Sequence, residues 1–249
     1  MVDAGVTFAN LSYTLADGRV LLRDISLQLE AGTTTALLGR SGSGKTTLLR
    51  TVNGLVTPTS GEVQVAGKAT REYDTVALRR GIGYVIQETG LFPHMTVERN
   101  AGMALELAGR SKQEIAVRVR EVLALAGLRY EEFRERYPWQ LSGGQRQRVG
   151  LARALATDPM VLLMDEPFGA LDPLTRAEMQ TMLRGLLDKV GKTVLLVTHD
   201  LDEALYLANR VVFLSEGAVA ADMLAGDVPG SDNSHVKDYV SAVHRVVQG

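Results

Sequence analysis

The stretch 39-GRSGSGKTT-47 follows the pattern G-x-x-x-x-G-K-[ST] from Gly39 to Thr46. Gly39, Gly42 and Gly44 free the backbone to turn its N–H groups inward around phosphate oxygens. Arg40, Ser41 and Ser43 complete the turn. Lys45 suits the β- and γ-phosphates of a nucleotide, and the Thr46 hydroxyl suits magnesium. Thr47 stands beside them at a helix start, whose positive dipole end favours an anion. An apolar strand reading, 34-TTALLG-39, precedes the motif and a helical one, 45-KTTLLRTVNGL-55, follows it, as the mechanism demands.

Three further strand ends carry polar groups. Asp165 and Glu166 close the apolar run 161-VLLMDEP-167. Asp165 suits magnesium through water, because that ion keeps several waters, and Glu166 is then free to orient or deprotonate an attacking water. An Asp-Glu pair after a strand is otherwise a turn and helix cap. Gln87 ends 81-GIGYVIQ-87 and offers an oxygen to magnesium or water. His199 ends 193-TVLLVTH-199, with Asp200 and Glu203 forming a helix-start pattern behind it. The alternative for His199 is an ordinary satisfied polar residue. In an open α/β sheet the ends at Gly39, Gln87, Asp165 and His199 converge on one crevice. Tyr13 is a candidate for stacking on a base, or else a half-buried strand aromatic.

A second glycine turn opens 141-LSGGQRQRVGLARALA-156. Ser142 caps the helix that follows, and Gly143 and Gly144 permit a turn or a close backbone approach, with Gln145 next. A plain Ser-Gly-Gly helix entry is the simpler alternative. One γ-phosphate already has a cradle at Gly39–Thr46, so a second is not needed to close the same pocket.

The elements that must position these groups are legible in the periodicity. Residues 5–30 and 61–68 alternate as short strands. From Glu88 to Ala156 helical patterns replace strand signals. In 111-SKQEIAVRVREVLALAG-127, Ser111 and Glu114 make a capping box, Ile115, Val119, Leu123 and Ala126 share a face, and Gly127 ends the helix. Apolar strands alternating with helices indicate a parallel sheet covered on both faces. The segment 227-DVPGSDNS-234 reads as a linker. Beyond it, Val236, Tyr239, Val240, Val243 and Val247 form a helical stripe expected to pack on the chain's own surface.

Composition excludes several classes. The 27 basic and 29 acidic residues give a net charge of −2, without the basic footprint of a nucleic-acid binder. Cysteine is absent, so there is no disulfide framework, thiol nucleophile or cysteine-based zinc site. The first residues lack the basic-then-apolar pattern of a signal peptide. Runs such as 160-MVLLM-164 fall far short of the roughly 18–20 apolar residues that span a bilayer, so membrane contact is expected only through a partner.

Together these residues resemble the ATP-binding subunits of ABC transporters. Gly39–Thr46 matches the Walker A motif, Gln87 the Q-loop glutamine, 141-LSGGQ-145 the signature, 161-VLLMDE-166 Walker B with its catalytic Glu, 170-ALD-172 the D-loop and His199 the switch histidine. Tyr13 falls where that family has its adenine-stacking aromatic. The order and spacing match over nearly the whole chain.

The resemblance implies an α/β P-loop NTPase core with a mostly parallel sheet, an N-terminal antiparallel β subdomain and a helical insert. Residues 1–249 then form one domain: core at 1–87 and 157–226, helical subdomain at 88–156, and a short tail at 227–249. It implies ATP and Mg²⁺ as cofactors, with Tyr13, Gly39 to Thr47 and Ser142 to Gln145 on nucleotide. Lys45, Gln87, Glu166 and His199 would be catalytic, and Thr46, Gln87 and Asp165 would face the metal. It implies a homodimer, or a pair with a similar subunit, in which each signature closes over the other chain's ATP. The other partners are integral-membrane permease subunits and a substrate-binding protein, on the cytoplasmic face of the membrane, with no nucleic acid.

The segments 83-GYVIQETGLFPHMTVERN-100 and 164-MDEPFGALDPLTR-176 look most like importer ATPases for glycine betaine, choline or carnitine. Many of those add a tandem CBS module, which is expected to be absent here because the chain ends about thirty residues past the last strand motif. Arg40, where several relatives have Pro, and Gly150, where Ala is common, are smaller departures. An importer for amino acids or another small solute, or an exporter, fits the same motifs. Soluble ABC ATPases of DNA or ribosomes usually show coiled coils, zinc hooks or doubled motifs, which are missing here, and the signature argues against a simple P-loop kinase.

Overall fold

The computed structural model describes residues 5–87 and 89–244. In chain order the elements are β1 (Val6–Thr14), β2 (Val20–Leu29), β3 (Thr34–Leu38), α1 (Lys45–Val52), β4 (Ser60–Val65), β5 (Lys68–Ala69), α2 (Thr75–Arg80) and β6 (Ile82–Val85). There follow α3 (Val97–Leu107), α4 (Lys112–Leu125), α5 (Tyr130–Phe133), α6 (Gly143–Leu155), β7 (Val161–Asp165) and α7 (Pro173–Val190). The chain closes with β8 (Thr193–Thr198), α8 (Leu201–Leu207), β9 (Arg210–Ser215), β10 (Ala218–Leu224) and α9 (Ser234–His244). It divides into two compact units, one up to Leu78 together with the stretch from Thr193, the other from Arg79 to Lys192.

In the first unit an antiparallel sheet runs in the order β2-β1-β4-β5, and a second set runs β10-β9-β3-β8. There β3 pairs in parallel with β8 and β9, while β10 returns antiparallel on β9. Every residue of β3 and β8 is buried, as strands covered on both faces require. Ala36 and Leu38 of β3 pack with Leu201 and Ala204 of α8, Val211 and Phe213 of β9, and Val236 of α9. Tyr239 and Val240 join that cluster, so Val236, Tyr239 and Val240 of the expected stripe lie on the chain's own core, while the side chain of Val243 falls outside the described residues. Val247 falls outside the described residues.

The expected strand at 61–68 is two strands around Ala66-Gly67, both in the left-handed region at φ +53° and +74°. The β9–β10 connection repeats this with Glu216-Gly217 at φ +48° and +79°. Two left-handed central residues are the geometry of the tight hairpin turn whose twist matches its strands.

In the second unit β6 pairs in parallel with β7, ending where Val85 meets Met164. Ile86 and Gln87, expected within the strand, lie beyond that last pair. Gly83 explains how close α6 comes: a Cβ there would stand 2.5 Å from the Ala154 carbonyl oxygen. The Ser111–Glu114 box caps α4, and Val119, Leu123 and Ala126 are buried as the periodicity predicts. The helices α4 and α6 also cap each other. Arg118 donates to the Leu155 and Ala156 carbonyls at 2.9 and 3.0 Å, and Arg148 donates to the Ala126 carbonyl at 3.1 Å. Cations at these C-terminal carbonyls satisfy orphan acceptors and the helix dipole together.

Candidate functional site

In the first unit β3 delivers Gly39 at its carboxyl end. The loop turns through Gly42 and Gly44, at φ +81° and +100°, into α1. A Cβ on Gly39 would meet the Leu214 carbonyl oxygen at 2.3 Å, and one on Gly44 would meet Leu22 Cδ2 at 2.7 Å. The glycines therefore serve both the turn and the packing of the loop on β2 and β9.

No side chain caps the start of α1. Lys45 is buried, and its Nζ donates to the Gly39 and Arg40 carbonyls at 2.8 and 3.0 Å, which parks the ammonium inside the loop. Ser43 is also buried, and its Oγ has no hydrogen-bond partner. A buried hydroxyl left unsatisfied costs about 1–3 kcal/mol, so an acceptor oxygen entering the loop would be favoured. Thr46 and Thr47 are half-buried in the first turn of α1, and Arg40, Ser41 and Gly42 are exposed.

His199 follows β8. Its carbonyl accepts a hydrogen bond from Tyr239 Oη at 2.7 Å, and Asp200 then caps α8 through the Glu203 N–H at 3.0 Å. Gly39 to Ser43 and His199 line one cavity of about 630 Å³, whose other walls are the β9–β10 hairpin and α9. Tyr13 is half-buried on β1 and outside that lining. It pairs across to Leu22, the residue that sits against Gly44.

In the second unit β7 is buried throughout and ends at Asp165, whose Oδ2 accepts from Tyr84 Oη at 3.3 Å. Glu166 takes a left-handed φ of +46°, a conformation that costs a non-glycine residue free energy and turns it sharply off the strand. Gln87 Nε2 donates to Glu166 Oε2 at 3.5 Å, the outer limit of a hydrogen bond. Asp165, Glu166 and Gln87 thus meet at the carboxyl end of the β6–β7 pair.

The Ser142–Gln145 turn is a capping box. Ser142 Oγ accepts from the Gln145 N–H at 3.2 Å, and Gln145 Oε1 accepts from the Ser142 N–H at 2.9 Å. The serine cap was legible in the sequence. The reciprocal glutamine contact was missed there, although S-x-x-Q is its signal.

The two glycines also admit a neighbour that periodicity does not reveal. A Cβ on Gly144 would stand 2.8 Å from Thr175 Cγ2, and one on Gly143 would stand 3.4 Å from Leu171 Cδ2. The Ala170-Leu171-Asp172 turn and the start of α7 therefore lie against the start of α6. Asp172 caps α7, and hydrogen bonds from the hydroxyl and then the backbone N–H of Thr175 hold its carboxyl below the usual range.

Among the described residues no helix is long and apolar enough to cross a membrane, and no three His, Cys, Asp or Glu gather into a metal cluster. Asp165, at the end of β7, offers a single carboxylate, and magnesium takes one or two of these while keeping several waters.

Known proteins are similar to this chain in sequence and fold. The ABC transporter family model matches residues 22–169. The carnitine transport ATP-binding protein OpuCA of Listeria monocytogenes is 41% identical over 234 residues, covering 94% of this chain and 59% of that protein. The glycine betaine uptake system ATP-binding protein YehX of Escherichia coli is 47% identical over 214 residues, 86% of this chain and 69% of that one. The chain thus spans about three fifths of the carnitine relative's length. Among solved structures, the dimeric bacterial ABC transporter cassette MJ0796 superposes with a TM-score of 0.78 at 36% identity, covering 88% of this chain and 98% of that one. Clostridium perfringens cbiO1, part of the ABC transporter complex cbiONQ, gives 0.85 at 28% identity, covering 99% and 100%.

Proposed function

This chain belongs to the ABC transporter family of ATP-binding proteins, and from that membership we propose that it binds and hydrolyses ATP as one of two subunits that power solute import. The observation that carries the reading is the phosphate loop, with its uncapped helix start, buried Lys45 and unsatisfied Ser43 hydroxyl. We assign residues 1–249 to a single ABC-type ATP-binding domain, with the helical subdomain at 88–156.

The backbone of Gly39–Gly44 and the start of α1 receive the β- and γ-phosphates, and Lys45 leaves the Gly39 and Arg40 carbonyls to neutralise them. Arg40, Ser41, Thr46 and Thr47 complete the grip, and Tyr13 stacks on the base. Thr46, Asp165 and Gln87 are the groups that would face Mg²⁺, which when bound offsets phosphate charge. Glu166 accepts the proton as water oxygen bonds to the γ-phosphorus and the bond to ADP's leaving oxygen breaks. His199 and Gln87 hold the γ-phosphate and the water in line.

Ser142, Gly143, Gly144 and Gln145 serve the ATP of a second copy or a similar subunit. The dimeric solved cassette supports that pairing. The names of the carnitine and glycine betaine relatives support an osmoprotectant or quaternary amine as the solute. An integral-membrane permease then anchors the chain to the cytoplasmic face, and a substrate-binding protein delivers the solute.

Purified protein should hydrolyse ATP in the presence of Mg²⁺, and affinity capture from membranes should bring down a permease. Absence of both turnover and ATP binding would remove the proposal.

A further inference from the structure

The helix α6 does more than start at the signature. Gln147, Gly150 and Arg153 stand three residues apart along it and so share one edge. That edge lies on the segment just after β6. Gln147 Nε2 donates to the Gln87 carbonyl at 3.3 Å. Arg153 places its two terminal nitrogens on successive carbonyls, Thr89 and Gly90, each at 2.8 Å. Gly150 faces the same segment: a Cβ there would make an ordinary contact, 3.7 Å from the Thr89 carbonyl oxygen.

The guanidinium is half-buried, and burial draws its pKa below the ordinary value while leaving it charged. A planar charged fork on two carbonyls is a directional and stiff contact. Gln147 is buried with its Oε1 unpartnered, so its amide is committed through Nε2 alone. Gln87 is therefore held at both ends, by Gln147 at its carbonyl and against Glu166 at its side chain.

We propose that Gln147 and Arg153 are positioning residues that clamp Gln87, Thr89 and Gly90 onto α6, so that Gln87 moves with the helix that carries the signature. The proposal rests on the reading of Gln87 and Glu166 as parts of an ATP-hydrolysing site. It gives α6 two jobs on one rigid rod, offering Ser142–Gln145 at its start and setting Gln87 from its side.

The test compares Arg153→Met, Arg153→Lys and Gln147→Leu with the parent in two measurements. Amide hydrogen exchange over residues 86–92 should quicken by about tenfold or more in Arg153→Met, with Arg153→Lys in between. In ATP hydrolysis, kcat should fall between about 10- and 100-fold while KM stays within about twofold, the pattern of a displaced group rather than lost binding. In a Gln87→Ala background, Arg153→Met should cost nothing further. Parent-like exchange in both Arg153→Met and Gln147→Leu would overturn the clamp. So would an equal kcat loss with and without Gln87. A parent that hydrolyses no ATP overturns the activity reading instead, and the exchange data still decide the clamp. Gln147→Leu keeps the test open if Arg153→Met fails to fold.

Discussion

At Gly44 the start of α1 has no side-chain cap, whereas at Ser142 the start of α6 is closed on itself by a reciprocal pair of hydrogen bonds. Both turns are glycine-rich and both lead into helices. In the first, a lysine and a serine are buried, and the serine hydroxyl lacks a partner. In the second, Ser142 is exposed and its Oγ already accepts from the Gln145 N–H. A hydroxyl that accepts still has a proton to donate. The first turn thus holds one buried hydroxyl without a partner, while the second is satisfied and can reach outward as well. On the proposed reading, the difference is that between a site for the chain's own ligand and a surface offered to another's.

The largest effect should come from the unsatisfied turn. Lys45→Ala removes the cation proposed to compensate the transferred phosphate. ATP turnover should fall about a thousandfold or more, the scale seen when such a charge is lost; near-normal turnover by the purified variant would break the assignment. Glu166→Gln comes next. Loss of a general base costs about 10²–10⁴ in rate, so hydrolysis should nearly stop while ATP binding, followed with a fluorescent analogue, survives.

The self-closed turn should behave differently. Ser142→Ala loses a cap worth about 1 kcal/mol and an outward donor. Isolated chains should bind ATP as before, while turnover at concentrations that favour pairing should drop. Equal loss of monomer binding would mean that the turn serves its own chain.

The smallest effect sharpens the contrast through a second capping box of the same design. Ser111 Oγ accepts from the Glu114 N–H at 3.3 Å, and Glu114 Oε2 accepts from the Ser111 N–H at 2.8 Å. Ser111→Ala should cost about 1 kcal/mol in thermal unfolding and leave turnover unchanged. Hydrogen bonds from the Ser111 backbone and side chain hold the Glu114 carboxyl below its usual pKa. A depressed folded pKa means stability that is present above the unfolded value and lost as pH falls through the folded one. The gap between parent and Ser111→Ala should therefore narrow as pH drops below the usual glutamate range, by the part that the Ser111 hydroxyl contributes as a donor to the carboxylate. A gap that widened there would contradict the box.

The features that were legible in sequence are those written in local chemistry. The phosphate loop, the buried strands β3, β7 and β8, the serine caps and the apolar face of α4 each depend on residues within one or two turns. The β9–β10 hairpin escaped because its turn is Glu216-Gly217, without the Asn or Asp that usually advertises two left-handed residues. The six-residue α2 is too short for a period to show. The contacts of α6 with Gln87, Thr89 and Gly90 join residues more than fifty positions apart, and no spacing rule predicts that Arg153 meets Thr89. Nor does composition foretell that Gly83 is small so that α6 can ride on β6, or that Glu166 must turn left-handed. Such features arise from packing between distant elements, where sequence pattern is silent.

The central claim is that Ser142–Gln145 closes over the ATP of a second chain. Light scattering of Glu166→Gln with and without ATP tests it most directly, alongside the same protein carrying Ser142→Arg, whose bulk and charge would block the turn. The account predicts that ATP doubles the mass of Glu166→Gln, and that the added Ser142→Arg change leaves it at one chain while ATP still binds. A mass that stays at one chain in Glu166→Gln, or that doubles in both proteins, would contradict it.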